Sequence, residues 1–234
     1  MKRLIVLTLT LLPFAIKAQN LQLHYDFGKE RKFYTATFEM FRPDTLGSTF
    51  WFIDFDFDLP GSPRSMSTAY FEIAREFYIP FLCRNNFFDQ LAVHFEYNDG
   101  FTAFKVSDEA LGAASFNNIF LAGLSHPVKI GSVTISTQWL VRLPRSSSAD
   151  FQFTLTWFQR VFNGKLIITG FADLFSQNKI ADDGKDFVFL SEPQFWYMFT
   201  KKLGVGTELE ISKNFPYGPE PWSIRPTLAL KWEF

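Results

Sequence analysis

The stretch Trp222 to Phe234, WSIRPTLALKWEF, alternates between apolar and polar residues almost without a break. Successive side chains of a β-strand point to opposite faces, so this pattern predicts a strand with one wholly apolar face. The stretch slightly exceeds the about 9–11 residues that a tilted strand needs to cross a bilayer. A soluble edge strand this long, apolar and aromatic would invite aggregation, whereas lipid accommodates it. The apolar face consists of Trp222, Ile224, Pro226, Leu228, Leu230, Trp232 and Phe234.

Residues 1–18 have the pattern of a secretory signal peptide. Met1-Lys2-Arg3 is a short basic region, Leu4–Leu12 is apolar apart from threonines, and Ala18 is the small residue before a cleavage site. The apolar run is too short to span a bilayer as a helix. We therefore predict export, with a cleaved signal peptide at residues 1–18 and an outer-membrane β-barrel at residues 19–234.

The composition narrows the class of protein further. The chain contains 31 Phe, 7 Tyr and 6 Trp, an aromatic load larger than one soluble core of this size needs. Outer-membrane barrels place such residues in girdles at both membrane interfaces. The net charge of −1 gives no electrostatic reason to expect a nucleic acid as a partner. The single cysteine, Cys83, allows no internal disulfide.

Short alternating runs follow one another along the rest of the chain, with turn signals between them. We predict twelve strands: Leu21–Phe27, Phe33–Phe41, Thr49–Asp58, Thr68–Ile79, Gln90–Asn98, Phe116–Leu124, Val133–Leu143, Phe151–Val161, Lys165–Phe175, Phe187–Tyr197, Leu203–Ser212 and Trp222–Phe234. The fold class is therefore all-β, an antiparallel up-and-down transmembrane β-barrel, which implies a location in the bacterial outer membrane. The count falls towards ten if the connections Gly28–Arg31 and Pro80–Asp89 are misassigned.

The remaining connections divide into a short class and a long class. Outer-membrane barrels have short periplasmic turns and longer outside loops, so we assign the two classes to the two sides of the membrane. The short class contains Arg42–Ser48, Phe162–Gly164 and Phe199–Lys202, and the long class contains Asp99–Ser115, Pro144–Ala149, Ser176–Asp186 and Lys213–Pro221. Arg75 falls on the lipid-facing side of its strand, so we expect it near the periplasmic rim or after a β-bulge.

Several of these segments resemble the Tsx-like family of nucleoside-specific channel-forming outer-membrane proteins. The resemblance is carried by GSTFWFIDFDFD (Gly47–Asp58), EIAREF (Glu72–Phe77), NNIFLAG (Asn117–Gly123), GFADLF (Gly170–Phe175), SEPQFWY (Ser191–Tyr197) and the closing strand. It extends through most of the chain after residue 18. It implies a monomeric twelve-stranded barrel with a narrow lumen, and nucleosides as the leading solute.

The polar face of each strand would line that lumen. The candidate lining residues are Phe50, Phe52, Asp54, Asp56, Asp58, Glu72, Glu96, Arg142, Asp173, Glu192, Gln194, Glu208, Glu210, Arg225 and Lys231. Acids outnumber bases, which favours neutral or cationic small solutes over anions. Phe50 and Phe52 offer ring faces on which a flat solute can stack. We also expect Glu210 to lie opposite Arg225 when the two closing strands pair.

Other interpretations of the lumen stay open. Its charges could form a satisfied polar network in a closed barrel that conducts nothing and binds a partner through its loops. A lipid hydrolase of the outer membrane would use Ser/His chemistry, with His24, His94 and the predicted turn Ser125-His126-Pro127 as candidates. Asp54, Asp56 and Asp58 suggest calcium, but alternate strand residues lie about 7 Å apart, too far to share one ion. We predict no catalytic residue, no bound metal and no cofactor.

Overall fold

The structure is a computed structural model that describes residues 19–28, 31–62, 64–79, 90–107, 110–131, 133–145, 147–179, 183–216 and 220–234. The predicted signal peptide and the predicted connection Pro80–Asp89 lie outside the described residues. The described residues contain no helix with the length and apolar character needed to cross a membrane.

Every described element of regular structure is a β-strand. The strands are β1 Gln19–Asp26, β2 Tyr34–Asp44, β3 Gly47–Phe57, β4 Met66–Tyr78, β5 Ala92–Lys105, β6 Leu111–Ile130, β7 Val133–Pro144, β8 Asp150–Val161, β9 Leu166–Asn178, β10 Lys185–Ser191, β11 Gln194–Met198, β12 Leu203–Lys213 and β13 Ser223–Glu233. The sequence forms strands because apolar and polar residues alternate with a period of two, which matches a pleated strand and not a helix.

These strands close into a barrel. From β1 to β10, and again from β11 to β13, each strand pairs antiparallel with the next in the chain, and β13 pairs with β1 from Asn20↔Glu233 to Asp26↔Thr227. β10 and β11 both lie between β9 and β12, so they are two parts of one strand interrupted at Glu192 and Pro193. Proline has no backbone N–H to give to a ladder, which accounts for the interruption. The predicted antiparallel barrel of twelve strands is therefore confirmed.

The apolar faces of the strands point away from the barrel axis. Leu228 and Trp232 on β13 are 54% and 47% exposed, whereas Lys231 between them is 4% exposed. Trp139 on β7 is 57% exposed and its neighbour Leu140 is 1% exposed. The polar faces and a few apolar side chains thus form the interior, as the alternation in Trp222–Phe234 predicts.

The barrel has two unlike ends. We call the end that holds Gln19 and Phe234 the terminus end, and the opposite end the loop end. Tight turns join strands at the terminus end, for example Thr45–Leu46 between β2 and β3, while 27–33, 58–65 and 214–222 are longer connections at the loop end. The connection 79–91 is the long exception at the terminus end. Arg75 lies near the terminus end, where its Nη1 is 2.6 Å from Asp44 Oδ2, as expected of a rim position.

One predicted loop proved to be strand. Most of Asp99–Ser115 belongs to a tall hairpin in which β5 runs to Lys105 and β6 starts at Leu111. The prediction was wrong because the register shifts between Asn98 and Gly100, and a β-bulge of this kind interrupts the alternation from which strands are recognised.

A predicted turn and a predicted strand residue also need correction. Ser125-His126-Pro127 lies within β6, and Pro127 pairs with Ser136 of β7. The ladder between β5 and β6 ends at Ala92↔Ser125, so Pro127 sits on an edge where its missing N–H is tolerated. Asp58 does not continue β3 into the lumen. It is exposed with φ 59°, and its N–H donates to the carbonyl of Ser65 at 3.1 Å, which begins the next connection.

Candidate functional site: the barrel lumen

The acidic residues on β3 face the lumen and take hydrogen bonds from the neighbouring strand. Thr35 Oγ1 donates to Asp56 Oδ1 at 2.6 Å, and Thr37 Oγ1 donates to Asp54. The β2–β3 register places each threonine directly opposite its aspartate. Both aspartates are half-buried.

Other predicted lumen acids repeat this arrangement around the wall. Thr154 Oγ1 donates to Asp173 at 2.6 Å, and the Tyr70 hydroxyl donates to Glu72. Gln194 Nε2 donates to Glu208 Oε2 at 2.6 Å. The hydrogen-bond donors to these carboxyl groups are therefore uncharged side chains of Thr, Tyr and Gln.

Aromatic rings form a row beside these acids. The rings of Phe50 and Phe52 lie 5.9 Å apart, and Phe52 lies 5.8 Å from Tyr70. Tyr70 stacks on Phe116 at 5.8 Å with an interplanar angle of 18°. A Cβ at Gly100 would lie 2.7 Å from the Phe116 ring, so the glycine of β5 is what lets a β6 ring reach a β4 ring. The alternation of residues did not identify Tyr70 and Phe116 as lumen residues, because their rings meet across the intervening strand β5.

Cations gather at the loop end of the lumen. Arg225 Nη1 pairs with Glu210 Oε1, which confirms the predicted cross-strand pair. Arg31, from the connection between β1 and β2, lies 2.8 Å from Glu210 Oε2 and 3.1 Å from Asp26 Oδ2. Burial alone would lower the pKa of the Arg31 guanidinium, but the Glu210 and Asp26 carboxylates outweigh it and raise that pKa above its usual value. Periodicity cannot identify Arg31, because it lies in a connection.

Near the terminus end, buried side chains pack together in what we call the Trp196 belt: Trp196, His24, Lys231, Ile167, Met198 and Ala229. Trp196 is fully buried, and its indole meets His24 edge to face at 5.7 Å. Lys231 Nζ lies 5.0 Å from the centre of the indole. Trp196 Nε1 donates to Gln194 Oε1 at 2.9 Å, which fixes the ring orientation.

Glycines make the Trp196 belt possible. Trp196 is on β11, whereas Lys231 and His24 are on β13 and β1, so the indole must cross β12. A Cβ at Gly206 of β12 would lie 2.4 Å from Trp196 Cε3, and one at Gly204 would lie 2.5 Å from Met198 Sδ. The Gly204-x-Gly206 pair therefore provides the space in which the large side chains lie.

A chain of polar contacts supports the same region. Asn20 Nδ2 donates to Glu39 at 2.8 Å, and Gln22 Nε2 donates to Asn20 Oδ1 at 2.8 Å. Gln22 Oε1 is 2.8 Å from His24 Nε2, and His24 Nδ1 is 3.1 Å from Thr227 Oγ1. The buried amides and imidazole thus satisfy one another, which holds the Trp196 belt in one arrangement.

His94 lies in a second polar cluster, between two acids. Its Nδ1 is 3.4 Å from Glu76 Oε1, and its Nε2 is 3.0 Å from Glu96 Oε2. Ser48 Oγ donates to Glu76 Oε2 at 2.9 Å. Both nitrogens of His94 therefore face carboxylates, and both of His24 face Gln22 and Thr227. This geometry leaves neither ring with a nitrogen directed at a serine nucleophile.

The remaining sequence candidates also lie in the barrel wall. Arg142 packs over the Phe175 ring at 4.5 Å, and the backbone N–H of Glu192 donates to Phe171 at the strand interruption. Within the described ranges, no group of three His, Cys, Asp or Glu residues is placed to hold a metal ion.

Comparison with known proteins identifies one family. A family model described as "Domain of unknown function (DUF5020)" matches residues 18–234. No curated protein matches the chain in sequence. None of the matches is specific to the Tsx-like family, so the nucleoside specificity implied by that resemblance stays a prediction.

Solved outer-membrane proteins are similar to the chain at low identity. Omp33 of Acinetobacter baumannii is 11% identical with a TM-score of 0.43, over 93% of this chain and 98% of that one. OmpT of Vibrio cholerae is 9% identical with a TM-score of 0.41, over 93% and 96%. OccK5 (OpdH) of Pseudomonas aeruginosa is 11% identical with a TM-score of 0.34, over 92% and 95%. Because these identities and TM-scores are low, the similarities carry no argument about the function of this chain.

Proposed function

We propose that this chain, which belongs to the DUF5020 family, is an outer-membrane barrel through which small neutral or cationic solutes diffuse passively. The observation that carries the proposal is the way the lumen acids are held. Asp54, Asp56, Glu72, Asp173 and Glu208 are half-buried and hydrogen-bonded to Thr, Tyr or Gln side chains.

We infer that water or mobile cations lie beside these acids. A carboxylate in a dry interior without a counter-charge either takes up a proton or costs several kcal/mol or more, so these five acids keep their charge only beside water or cations. A wet lumen removes that penalty and attracts cations from solution. The same arrangement therefore accounts both for stability and for a preference against anions.

The proposed route runs from the loop end towards the Trp196 belt. The outward apolar faces contact membrane lipid, and the terminus end with its tight turns faces the periplasm. The ring row from Phe50 to Phe116 provides stacking faces for a flat solute, and a nucleoside is the leading candidate because of the Tsx-like resemblance. The narrowest part is built of side chains, so its width depends on their rotamers. We further propose a monomer, exported by the predicted signal peptide.

Conductance in planar bilayers tests the proposal. We expect discrete ohmic steps, a reversal potential in a salt gradient that indicates cation preference, and block by nucleosides added at the loop end. The double variant Asp54→Asn/Glu208→Gln should lose most of the cation preference. The matched control, Asp44→Asn, removes an acid from the rim and should retain it.

Two outcomes would favour the other interpretations. Silence from densely inserted protein whose barrel resists protease would support a non-conducting scaffold. Ester hydrolysis that disappears in His94→Gln would support a lipid hydrolase, which the pairing of His94 with Glu76 and Glu96 argues against.

A further inference from the structure

An open groove lies on the outer surface of the barrel at the loop end. It has a volume of about 500 Å³ and lies between the β9–β10 hairpin and the start of β13. Its lining includes three lysines and three aromatic residues: Lys179, Lys185, Lys213, Phe187, Phe189 and Trp222. None of these six residues takes part in the lumen described above.

Unequal strand lengths create the groove. β10 pairs with β9 from Lys185↔Asn178 to Ser191↔Ala172, but it pairs with β12 only from Phe189↔Lys213 to Ser191↔Ile211. The β9–β10 hairpin therefore continues beyond the end of β12. Asn214 Nδ2 donates to the carbonyl of Phe187 at 2.9 Å and ties the following connection to the hairpin.

The floor of the groove is aromatic and faces outward. Phe187 and Trp222 are 67% and 60% exposed, whereas Val188, next to Phe187, is fully buried on the lumen side. The rings of Phe189 and Trp222 lie 5.4 Å apart. Amphipathic aromatic side chains at the ends of membrane strands lie at the depth of the lipid head groups.

The rim of the groove is positively charged. Lys213 Nζ lies 5.7 Å from the Trp222 ring centre, on the exposed side of β12. Lys185 Nζ is 2.5 Å from Asp150 Oδ1 and 2.8 Å from Ser148 Oγ, so Asp150 offsets part of its charge. The groove lining thus holds three lysines and Asp186, and one of the lysines, Lys185, is also paired with Asp150. The groove therefore combines an apolar floor with a positive rim at head-group depth.

We propose that this groove binds a phosphate-bearing membrane lipid, with the phosphate beside Lys213 and an acyl chain along Phe187 and Leu174. The charge and the apolar surface match the two parts of such a lipid. The inference rests on the proposed insertion in a membrane. It is independent of conduction through the lumen.

Trp222 reports on the lipid in the groove, since bromine on a lipid quenches nearby indole fluorescence. The protein is reconstituted in phosphatidylcholine vesicles in which about one lipid in five is phosphatidylglycerol. Bromine is placed either on the phosphatidylglycerol or on an equal amount of the phosphatidylcholine. Subtracting the spectrum of the Trp222→Phe variant isolates the signal of Trp222.

We expect brominated phosphatidylglycerol to quench Trp222 more strongly than brominated phosphatidylcholine does. Each lysine changed to serine should reduce this preference by up to about fivefold, and the triple variant at Lys179, Lys185 and Lys213 should abolish it. The control changes Lys165, Lys201 and Lys202 to serine, which removes as many exposed charges from the terminus end. That variant should retain the preference.

The possible failures are distinguishable. Equal quenching by the two brominated lipids overturns the groove as a phosphate-lipid site while leaving membrane insertion intact. Loss of the preference in the control variant overturns it too, because general charge attraction would then be the cause. Absence of quenching by either lipid overturns membrane insertion, and with it the proposed function.

Discussion

Around Trp196, near the terminus end, apolar and polar side chains pack tightly together, whereas nearer the loop end half-buried carboxylates face the interior. The tightly packed region depends on Gly204 and Gly206, which let one indole extend across a neighbouring strand. In the region of the carboxylates, threonines opposite the acids each donate to one carboxyl oxygen. If the proposed passage exists, the Trp196 belt is its constriction and the region of the carboxylates is its vestibule, and the size of the inward residues decides between them.

The largest expected effect comes from removing the indole of the tightly packed region. Trp196→Ala should lower the free energy of unfolding by about 3–5 kcal/mol, as large-to-small changes of buried aromatic residues do. It should also raise single-channel conductance, because the constriction loses its largest side chain. Denaturant unfolding in vesicles and planar-bilayer recording measure the two quantities.

Trp139→Ala is the control for that change, since Trp139 is 57% exposed on the outer face of β7. Its conductance should match that of the unmodified protein. If Trp196→Ala also leaves the conductance unchanged, the Trp196 belt is not the constriction. The proposed difference between the two regions of the lumen is then refuted.

The loop end should respond most strongly to Glu210→Gln. Arg31 and Arg225 would then lose their shared carboxylate, and breaking a buried ion pair costs about 3 kcal/mol or more. Unfolding in denaturant measures this loss. Glu208→Gln on the same strand should change stability by no more than about 1 kcal/mol, because Glu208 bonds to the uncharged Gln194. Equal losses would mean that the two acids are held in the same way.

A smaller effect is expected from adding one methyl group beneath the indole. In Gly206→Ala the new Cβ would lie 2.4 Å from both the Phe195 carbonyl oxygen and Trp196 Cε3. Overpacking of this kind costs about 1–3 kcal/mol. The Gly204→Ala variant should cost less, because its nearest atom is the Sδ of the flexible Met198 side chain. Thermal unfolding of the two variants should rank them in this order, and the reverse ranking would refute the proposed role of Gly206.

The smallest effect is expected at the rim. Asp44→Asn removes the carboxylate that Arg75 contacts at 2.6 Å on the exposed surface of the terminus end. Exposed ion pairs contribute little, so the midpoint of unfolding should not shift measurably. A shift as large as that of Glu210→Gln would show that this surface pair, and not the interior packing alone, stabilises the terminus end.

The sequence was informative about faces and neighbouring strands. Alternation predicted which side of each strand points inward, and pairing of the last two strands placed Glu210 opposite Arg225, as found. It was less informative where the period of two is disturbed. The shift at Asn98 and Gly100 hid the continuation of β5, and Asp58 left its strand through a left-handed backbone conformation.

Contacts that skip a strand could not be predicted from periodicity. Trp196 reaches Lys231 across β12 and His24 across β12 and β13, and Phe116 reaches Tyr70 across β5. Such contacts depend on strand tilt and on a small residue in the intervening strand, Gly206 in one case and Gly100 in the other. A glycine at an inward position next to a large aromatic residue on the adjacent strand is the signal that could have identified them.

The closure of the barrel by β1 and β13 has a consequence for assembly. Asn20 and Glu233 are partners although roughly two hundred positions separate them along the chain. Until this pair forms, both strands keep a row of unpaired N–H and C=O groups that a second molecule can capture. A nascent chain therefore needs protection from association with other copies until β1 and β13 have paired. Removal of β13 would leave β1 and β12 as unpaired edge strands, which the closed barrel does not have.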